Sequence, residues 1–115
     1  LICVFGCGGN RDAGKRPLMG QIATQYADWS IVTTDNPRHE DPAMIIQEIV
    51  QGIKGNNYQV VVDRKQAIIT AIQQAKVGDV VLVAGKGHED YQEIKGVKHH
   101  FSDLELVAEL LNEKI

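Results

Sequence analysis

Residues 29–42 read Trp29-Ser-Ile-Val-Thr-Thr-Asp35-Asn-Pro-Arg38-His-Glu-Asp41-Pro42. The apolar, β-branched run at 29–33 predicts a buried strand, and Asp41 followed by Pro42 predicts the N-cap and first position of a helix. A strand that leads into a helix is the unit from which parallel α/β sheets are built. Ligands of open parallel sheets bind outside the carboxyl ends of the strands, so the polar residues at this junction are placed for binding.

The alternation of short apolar runs with helical segments continues along the whole chain. Further strands are expected at 1–5, 58–62 and 80–84, and a hairpin is expected at 91–94 and 97–101, turning at Lys95-Gly96. Other helices are expected at 16–26, after the cap residue Asp63, and after the capping box Ser102-Asp-Leu-Glu105. The sequence therefore predicts one α/β domain over residues 1–115, a Rossmann-like, open, mostly parallel sheet with flanking helices and a C-terminal β-hairpin.

Three further expectations concern packing and domain limits. The run 80–84 is the most apolar strand, and burial on both faces predicts a central position in the sheet. Helical periodicity places Leu18, Ile22 and Tyr26 on one face of the first helix, and in the last helix it turns four residues inward, namely Leu106, Val107, Leu110 and Leu111. Because the chain opens directly in a core strand at Leu1, we expect a domain cut from a longer polypeptide.

Composition and charge argue against several classes of protein. The 115 residues carry a formal net charge of −3, which argues against a general nucleic-acid-binding surface. No apolar run approaches the roughly 20 residues that a transmembrane helix requires, so we expect no membrane partner. Cys3 and Cys7 have no cysteine or histidine partners at metal-binding spacing, and we expect reduced thiols in a cytosolic protein.

The unusual polar residues of the chain fall in three loops. These loops follow the first, second and fourth predicted strands, and they span residues 6–16, 35–38 and 85–90. Because the carboxyl ends of parallel strands lie at the same edge of a sheet, the three loops are predicted to form one rim. In the first loop, Arg11, Lys15 and Arg16 lie near a helix N-terminus, and we expect an anionic group to bind there.

The first loop matches nucleotide-binding motifs in part. Gly9-x-x-x-x-Gly14-Lys15 fits a phosphate-binding loop up to its last position, where Arg16 replaces the hydroxyl residue that would hold Mg²⁺. As a dinucleotide fingerprint, the loop has Arg11 in place of the third glycine, although Asp35 could bind a ribose. A stand-alone nucleotide- or dinucleotide-binding α/β module is therefore an open alternative.

The second and third loops carry opposite charges. Pro37 stiffens the second loop and favours an extended Asn36, so that Arg38 is held for bidentate binding of a carboxylate or phosphate. Glu89 in the third loop supplies a carboxylate on the same rim. Together these groups suit a zwitterion, with guanidinium facing carboxylate and glutamate facing ammonium. The alternative is that the charges pair with each other. We assign no role to His88.

Taken together, the three loops resemble the C-terminal domain of the Mur ligases, in particular the branch that adds meso-diaminopimelate in peptidoglycan synthesis. The resemblance spans essentially the whole chain and is carried by four stretches, namely residues 4–9, 14–20, Asp35-Asn-Pro-Arg38 and 83–91. In that branch, Asp-Asn-Pro-Arg is the diaminopimelate-recognition motif. The resemblance thus implies a binding role for all four residues of this motif, namely Asp35, Asn36, Pro37 and Arg38.

The resemblance also implies how the two ends of the ligand are read. Arg11 and Arg38, with Asn36, would hold the distal carboxylate of meso-diaminopimelate, and Gly85 and Glu89 would take its distal amino group. Lysine lacks that carboxylate and would leave two guanidiniums unpaired, so the family member should discriminate against it.

The family reaction implies partners that lie outside this chain. ATP activates the D-glutamate of UDP-MurNAc-dipeptide as an acyl-phosphate, which the amine of diaminopimelate attacks. In the family, ATP and Mg²⁺ are bound mainly by a central domain and UDP by an N-terminal domain, so these domains are the expected partners. The fragment is therefore expected to bind the amino acid without catalysing, with no catalytic residue and no metal ligand of its own. A purely structural α/β domain is the third alternative, and it would leave Arg38 and Glu89 without a purpose.

Overall fold

The computed structural model describes residues 1–86 and 89–114. Four parallel strands form a sheet in the order β3-β2-β1-β4, with bounds β1 Ile2–Phe5, β2 Trp29–Val32, β3 Tyr58–Val60 and β4 Val81–Val83. The flanking helices are α1 Arg16–Tyr26, α2 Pro42–Val50, α3 Arg64–Gln74 and α4 Asp103–Lys114, and a separate antiparallel hairpin consists of β5 Tyr91–Ile94 and β6 Val97–His100. The predicted α/β class, the mostly parallel sheet and the C-terminal hairpin are confirmed.

Local sequence signals set most of the element boundaries. The carboxylate of Asp41 accepts a hydrogen bond from the Ala43 amide at 2.9 Å, and that of Asp63 does the same for Lys65 at 3.0 Å, so both predicted N-caps are confirmed. The capping box is half formed. Ser102 Oγ accepts from the Glu105 amide at 3.2 Å, whereas the Glu105 carboxylate lies 2.8 Å from His100 Nε2.

The core consists of two apolar layers on opposite faces of the sheet. On one face, α3 and α4 cover alternate residues of the strands, including Ile2, Val4 and Ile31. On the other face, the core contains their neighbours Cys3, Phe5 and Val32 together with the isoleucines of α2, namely Ile45, Ile46 and Ile49. This alternation follows from the period-two geometry of a strand, and both faces are buried as a parallel sheet requires.

The expectation that strand 80–84 is central was wrong. Within the described residues β4 pairs with β1 alone and forms an edge of the sheet. Leu82 is 49% exposed and borders an apolar cleft of about 250 Å³, whereas Val81 and Val83 border clefts on the opposite face. One face of β4 is partly exposed at Leu82, and the apolar run carries no information on how many strands lie beside it.

The predicted orientation of two helices also needs correction. The face of α1 that carries Leu18, Ile22 and Tyr26 is exposed. Instead, α1 meets α2 at Gly20, where a Cβ would lie 2.2 Å from the Ile49 carbonyl oxygen, so this close backbone contact orients the helix. In α4, three of the four predicted inward residues pack against the core, namely Leu106, Val107 and Leu110, whereas Leu111 is 48% exposed.

Both cysteines are free thiols, as predicted, and burial raises the pKa of each. Cys3 lies inside the sheet and Cys7 is half-buried in the loop that follows it. A raised pKa keeps the thiol protonated and unreactive near neutral pH. Among the helices in the described part of the chain, none is long and apolar enough to cross a membrane.

Candidate functional site

The three predicted loops lie together at the carboxyl edge of the sheet. Strands β2, β1 and β4 are neighbours, and the chain crosses from β3 back to β4 on the far side of β1. The point between β1 and β4 is therefore a topological switch point, where open α/β sheets bind their ligands. The loops at residues 6–16, 35–38 and 85–90 follow these three strands, and we call the surface that their described residues form, which leaves out 87 and 88, the rim.

The first two loops of the rim are in direct backbone contact. The Gly9 amide donates to the Asn36 carbonyl at 2.7 Å. A Cβ on Gly9 would lie 1.8 Å from the Pro37 carbonyl oxygen, and one on Gly6 would lie 2.4 Å from that of Thr33. Glycine is required at both positions because the backbones approach too closely for any side chain.

Arg38 is held in one orientation by loops on both sides. Its backbone has a φ of +53°, and its amide donates to the Glu93 carbonyl at 2.9 Å. The guanidinium Nη1 donates to the Gly9 carbonyl at 2.9 Å, and Nε lies 3.5 Å from the Glu93 carboxylate. The Arg38 side chain is 16% exposed, and the contacts given by the described residues leave Nη2 of the fork for a ligand.

Asn36 is more deeply buried than the sequence suggested. The residue is 3% exposed, and its Oδ1 accepts hydrogen bonds from the Glu93 amide at 2.8 Å and from Lys86 Nζ at 3.1 Å. These bonds join the second loop to the third loop and to the hairpin. Any contact between Asn36 and a ligand would have to use its remaining amide nitrogen, and that role stays a prediction.

Three other predicted residues, Arg11, Gly85 and Glu89, are exposed or half-buried, whereas Pro37 is fully buried. Arg11 is exposed, with one weak hydrogen bond from its Nη1 to the neighbouring Asn10 carbonyl at 3.4 Å. Gly85 has a φ of +113°, a conformation that strains any other residue, and the half-buried Glu89 follows, its amide donating to the Lys86 carbonyl at 2.9 Å. Residues 87 and 88, including His88, lie outside the described part of the structure.

The expectation that Arg16 contributes to an anion site was wrong. Arg16 is 1% exposed, and its guanidinium donates to Glu40 at 2.8 Å, to Glu48 at 2.8 Å and to the Gly8 carbonyl at 3.0 Å. The hydrogen bond with Glu40 is the main cause that raises the pKa of Arg16, and the same bond lowers the pKa of Glu40. Glu40 and Glu48 therefore compensate the charge of Arg16, which supports the first loop through its hydrogen bond to the Gly8 carbonyl. Lys15, its neighbour in sequence, is exposed.

Sequence reasoning missed three residues that position the rim. Lys86 and Glu93 connect the loops as described above. Arg64 is 1% exposed and binds Asp103 through Nε at 2.9 Å and Nη2 at 2.7 Å. Its other hydrogen bonds reach the carbonyls of Thr34 and Ala84, each at 3.1 Å, immediately before the second and third loops. No local signal marks Arg64 or Glu93, because their neighbours in sequence are polar or mixed and their partners are distant, with Asp103 39 residues from Arg64 and Asn36 57 residues from Glu93.

An open parallel sheet with a charged rim at its topological switch point is typical of α/β domains that bind a ligand at this edge. A match to a known family narrows this class further. Residues 1–87 match the model of the family described as Mur ligase, glutamate ligase domain, and the chain belongs to this family.

Relatives and a solved structure agree with this assignment. The chain is 57% identical over 111 residues to UDP-N-acetylmuramoyl-L-alanyl-D-glutamate--2,6-diaminopimelate ligase of Chromobacterium violaceum, covering 96% of this chain and 22% of the relative. It is 57% identical over 115 residues to the enzyme of the same name from Clostridioides difficile, covering 98% of this chain and 24% of the relative. A solved structure of a ligase of that name superposes with a TM-score of 0.93 at 49% identity, covering 98% of this chain and 24% of the other. The chain thus spans about a quarter of the length of the proteins it matches.

Proposed function

We propose that this chain is the amino-acid-recognition domain of an ATP-dependent ligase that adds meso-diaminopimelate to UDP-MurNAc-L-Ala-D-Glu in the cytoplasm. The observation that carries the proposal is the fixed guanidinium of Arg38, whose backbone and side chain are bonded to the first loop and the hairpin. A guanidinium held in this way presents Nη2 to one carboxylate in one orientation. The relatives are named as ligases of 2,6-diaminopimelate, which gives the substrate class that such a site would serve.

The proposed contacts are those of a zwitterion site. Arg38 and Arg11, with Asn36, would bind the distal carboxylate, and Glu89 with Gly85 would bind the distal ammonium. Glu89 and the guanidinium of Arg38 come from different loops, and the contacts of the described residues include no hydrogen bond or ion pair between them. Arg38 is paired with Glu93 at 3.5 Å instead, which leaves Glu89 as the candidate partner of a ligand ammonium.

The first loop does not fit a phosphate-binding loop for ATP and Mg²⁺. At the position where a phosphate-binding loop needs a hydroxyl, Arg16 is buried in ion pairs with Glu40 and Glu48. Within residues 1–86 and 89–114, no group of three or more acidic, histidine or cysteine residues could hold a metal ion. ATP, Mg²⁺ and UDP-MurNAc-dipeptide would therefore be bound mainly by other domains of the full-length polypeptide, and the 115-residue chain alone would be inactive.

The substitution Arg38→Ala in the full-length polypeptide tests this function. We expect the KM for meso-diaminopimelate to rise far more than the KM for ATP, because an unpaired ligand carboxylate in a desolvated site typically costs about 2–5 kcal/mol, or roughly 30- to several-thousand-fold. Arg38→Lys should restore little, since an ammonium cannot keep the contacts with Gly9 and Glu93 and present a donor to the ligand at the same time. Steady-state kinetics with each substrate varied in turn measure both constants.

A matched control is Lys54→Ala, which removes an exposed cation from the loop before β3, at the opposite end of the sheet. It should leave both KM values unchanged. Equal increases in the two KM values of Arg38→Ala would identify Arg38 as a structural residue and would remove the proposed site.

A further inference from the structure

Lys86 is the most deeply buried charge on the rim. Its side chain is 0% exposed, and its Nζ donates to Asp35 Oδ1 at 3.0 Å, to Asn36 Oδ1 at 3.1 Å and to the Tyr91 carbonyl at 3.0 Å. An ammonium has three protons, and all three are used. The site residues Asp35 and Asn36 are therefore bonded to one cation that comes from the third loop.

The ion pair determines which carboxylates remain available to a ligand. The Oδ1 of Asp35 accepts the hydrogen bond from Lys86. The other oxygen, Oδ2, faces Gly85 and lies 3.5 Å from the position that a Cβ on Gly85 would take. Gly85 belongs to the part of the rim that would take the distal ammonium, together with Glu89. Without Lys86, that part of the rim would contain the additional uncompensated carboxylate of Asp35.

We propose that Lys86 is a specificity-determining positioning residue, which neutralises Asp35 so that Asp35 adds no net negative charge to the part of the rim that would take the distal ammonium. This inference rests on the proposed function. The distal end of meso-diaminopimelate is a zwitterion without net charge, whereas the distal end of lysine carries one positive charge. Additional negative charge at this end of the rim would therefore favour lysine, and additional positive charge would disfavour it.

The test uses two single variants of the full-length polypeptide that change the local charge in opposite directions. In Lys86→Met the buried cation is lost, and we expect the ratio of kcat/KM for meso-diaminopimelate to kcat/KM for L-lysine to fall by about tenfold. In Asp35→Asn the cation stays and its carboxylate is lost, so the ratio should rise or lysine activity should drop below detection. The double variant restores neutrality, and its ratio should return towards the wild-type value. Lys86→Arg retains the charge and should keep the ratio near that of the wild type.

The direction of the two shifts separates specificity from folding. A merely structural role would move both single variants in the same direction or leave both ratios unchanged, and either result overturns the inference. If Lys86→Met does not fold, the sign of the Asp35→Asn shift decides, because a ratio that falls contradicts the charge argument. The proposed function fails by a different result, an unchanged KM for meso-diaminopimelate in Arg38→Ala.

Discussion

At the scale of single residues, three buried cations hold the loops of the rim in place. Arg16, Arg64 and Lys86 are each 3% exposed or less, and each binds at least one carboxylate together with a backbone carbonyl. A buried charge is tolerated when it is paired and fully hydrogen-bonded, and removal of one partner leaves an uncompensated charge in the interior. These three positions should therefore be more sensitive to substitution than the exposed residues around them.

Arg64 offers the clearest test of that sensitivity. Arg64→Met removes the partner of the buried Asp103 and the donors to two loop carbonyls, and we expect a loss of about 3–5 kcal/mol in the free energy of unfolding. Urea unfolding of the 115-residue chain, followed by circular dichroism, measures this loss. The neighbouring exposed Lys65→Met serves as the control and should change stability by less than about 0.5 kcal/mol. Equal stabilities of the two variants would contradict the role given to Arg64.

The sequence predicted the rim but not the residues that support it. The location of Arg38 and Glu89 follows from local rules, because loops after parallel strands share an edge and Pro37 stiffens its turn. The contacts of Asn36 do not follow from local rules, since its partners Lys86 and Glu93 are 50 and 57 residues away in sequence. Their roles depend on how the third loop and the hairpin fold over the second loop, which no local pattern contains.

Element boundaries were more predictable than element neighbours. The caps Asp41 and Asp63 begin their helices through hydrogen bonds within two residues of the cap, so short-range sequence is sufficient. The hairpin turn is equally local, with positive φ at both Lys95 and Gly96. The edge position of β4 and the exposed face of α1 result from contacts between distant segments, such as the approach of Gly20 to α2.

The contact between His100 and Glu105, at the junction between β6 and α4, predicts that the stability of the fold depends on pH. Mainly through its hydrogen bond to Glu105, the pKa of His100 is raised above the ordinary value of 6.5. Because the folded-state pKa is the higher one, the contribution of this pair to stability is fully present below pH 6.5 and is lost as pH rises through the raised pKa. NMR titration of the His100 ring should give a lower pKa in Glu105→Gln than in the wild type. An identical pKa in the two proteins would show that the pair does not form in solution.

At the scale of the whole molecule, sheet order creates the site. The strands β2, β1 and β4 are adjacent, so the three charged loops meet although they are far apart in sequence, and β3 with its loop stays to one side. The rim is open, and the chain spans about a quarter of its relatives. This architecture suits a domain that presents one substrate to chemistry performed elsewhere.

The central claim is that the rim reads both charges at the distal end of meso-diaminopimelate. The most direct measurement is the ratio of kcat/KM for meso-diaminopimelate to that for L-lysine in the wild-type full-length polypeptide, Arg38→Ala and Glu89→Gln. Wild type should be nearly inactive with lysine, and Arg38→Ala should lower the ratio by penalising diaminopimelate while leaving the small lysine activity unchanged or slightly raised. Glu89→Gln should harm diaminopimelate without improving lysine, whose ammonium loses the same carboxylate. A ratio that stays constant across all three proteins would mean that neither residue reads the distal end and that recognition takes place elsewhere.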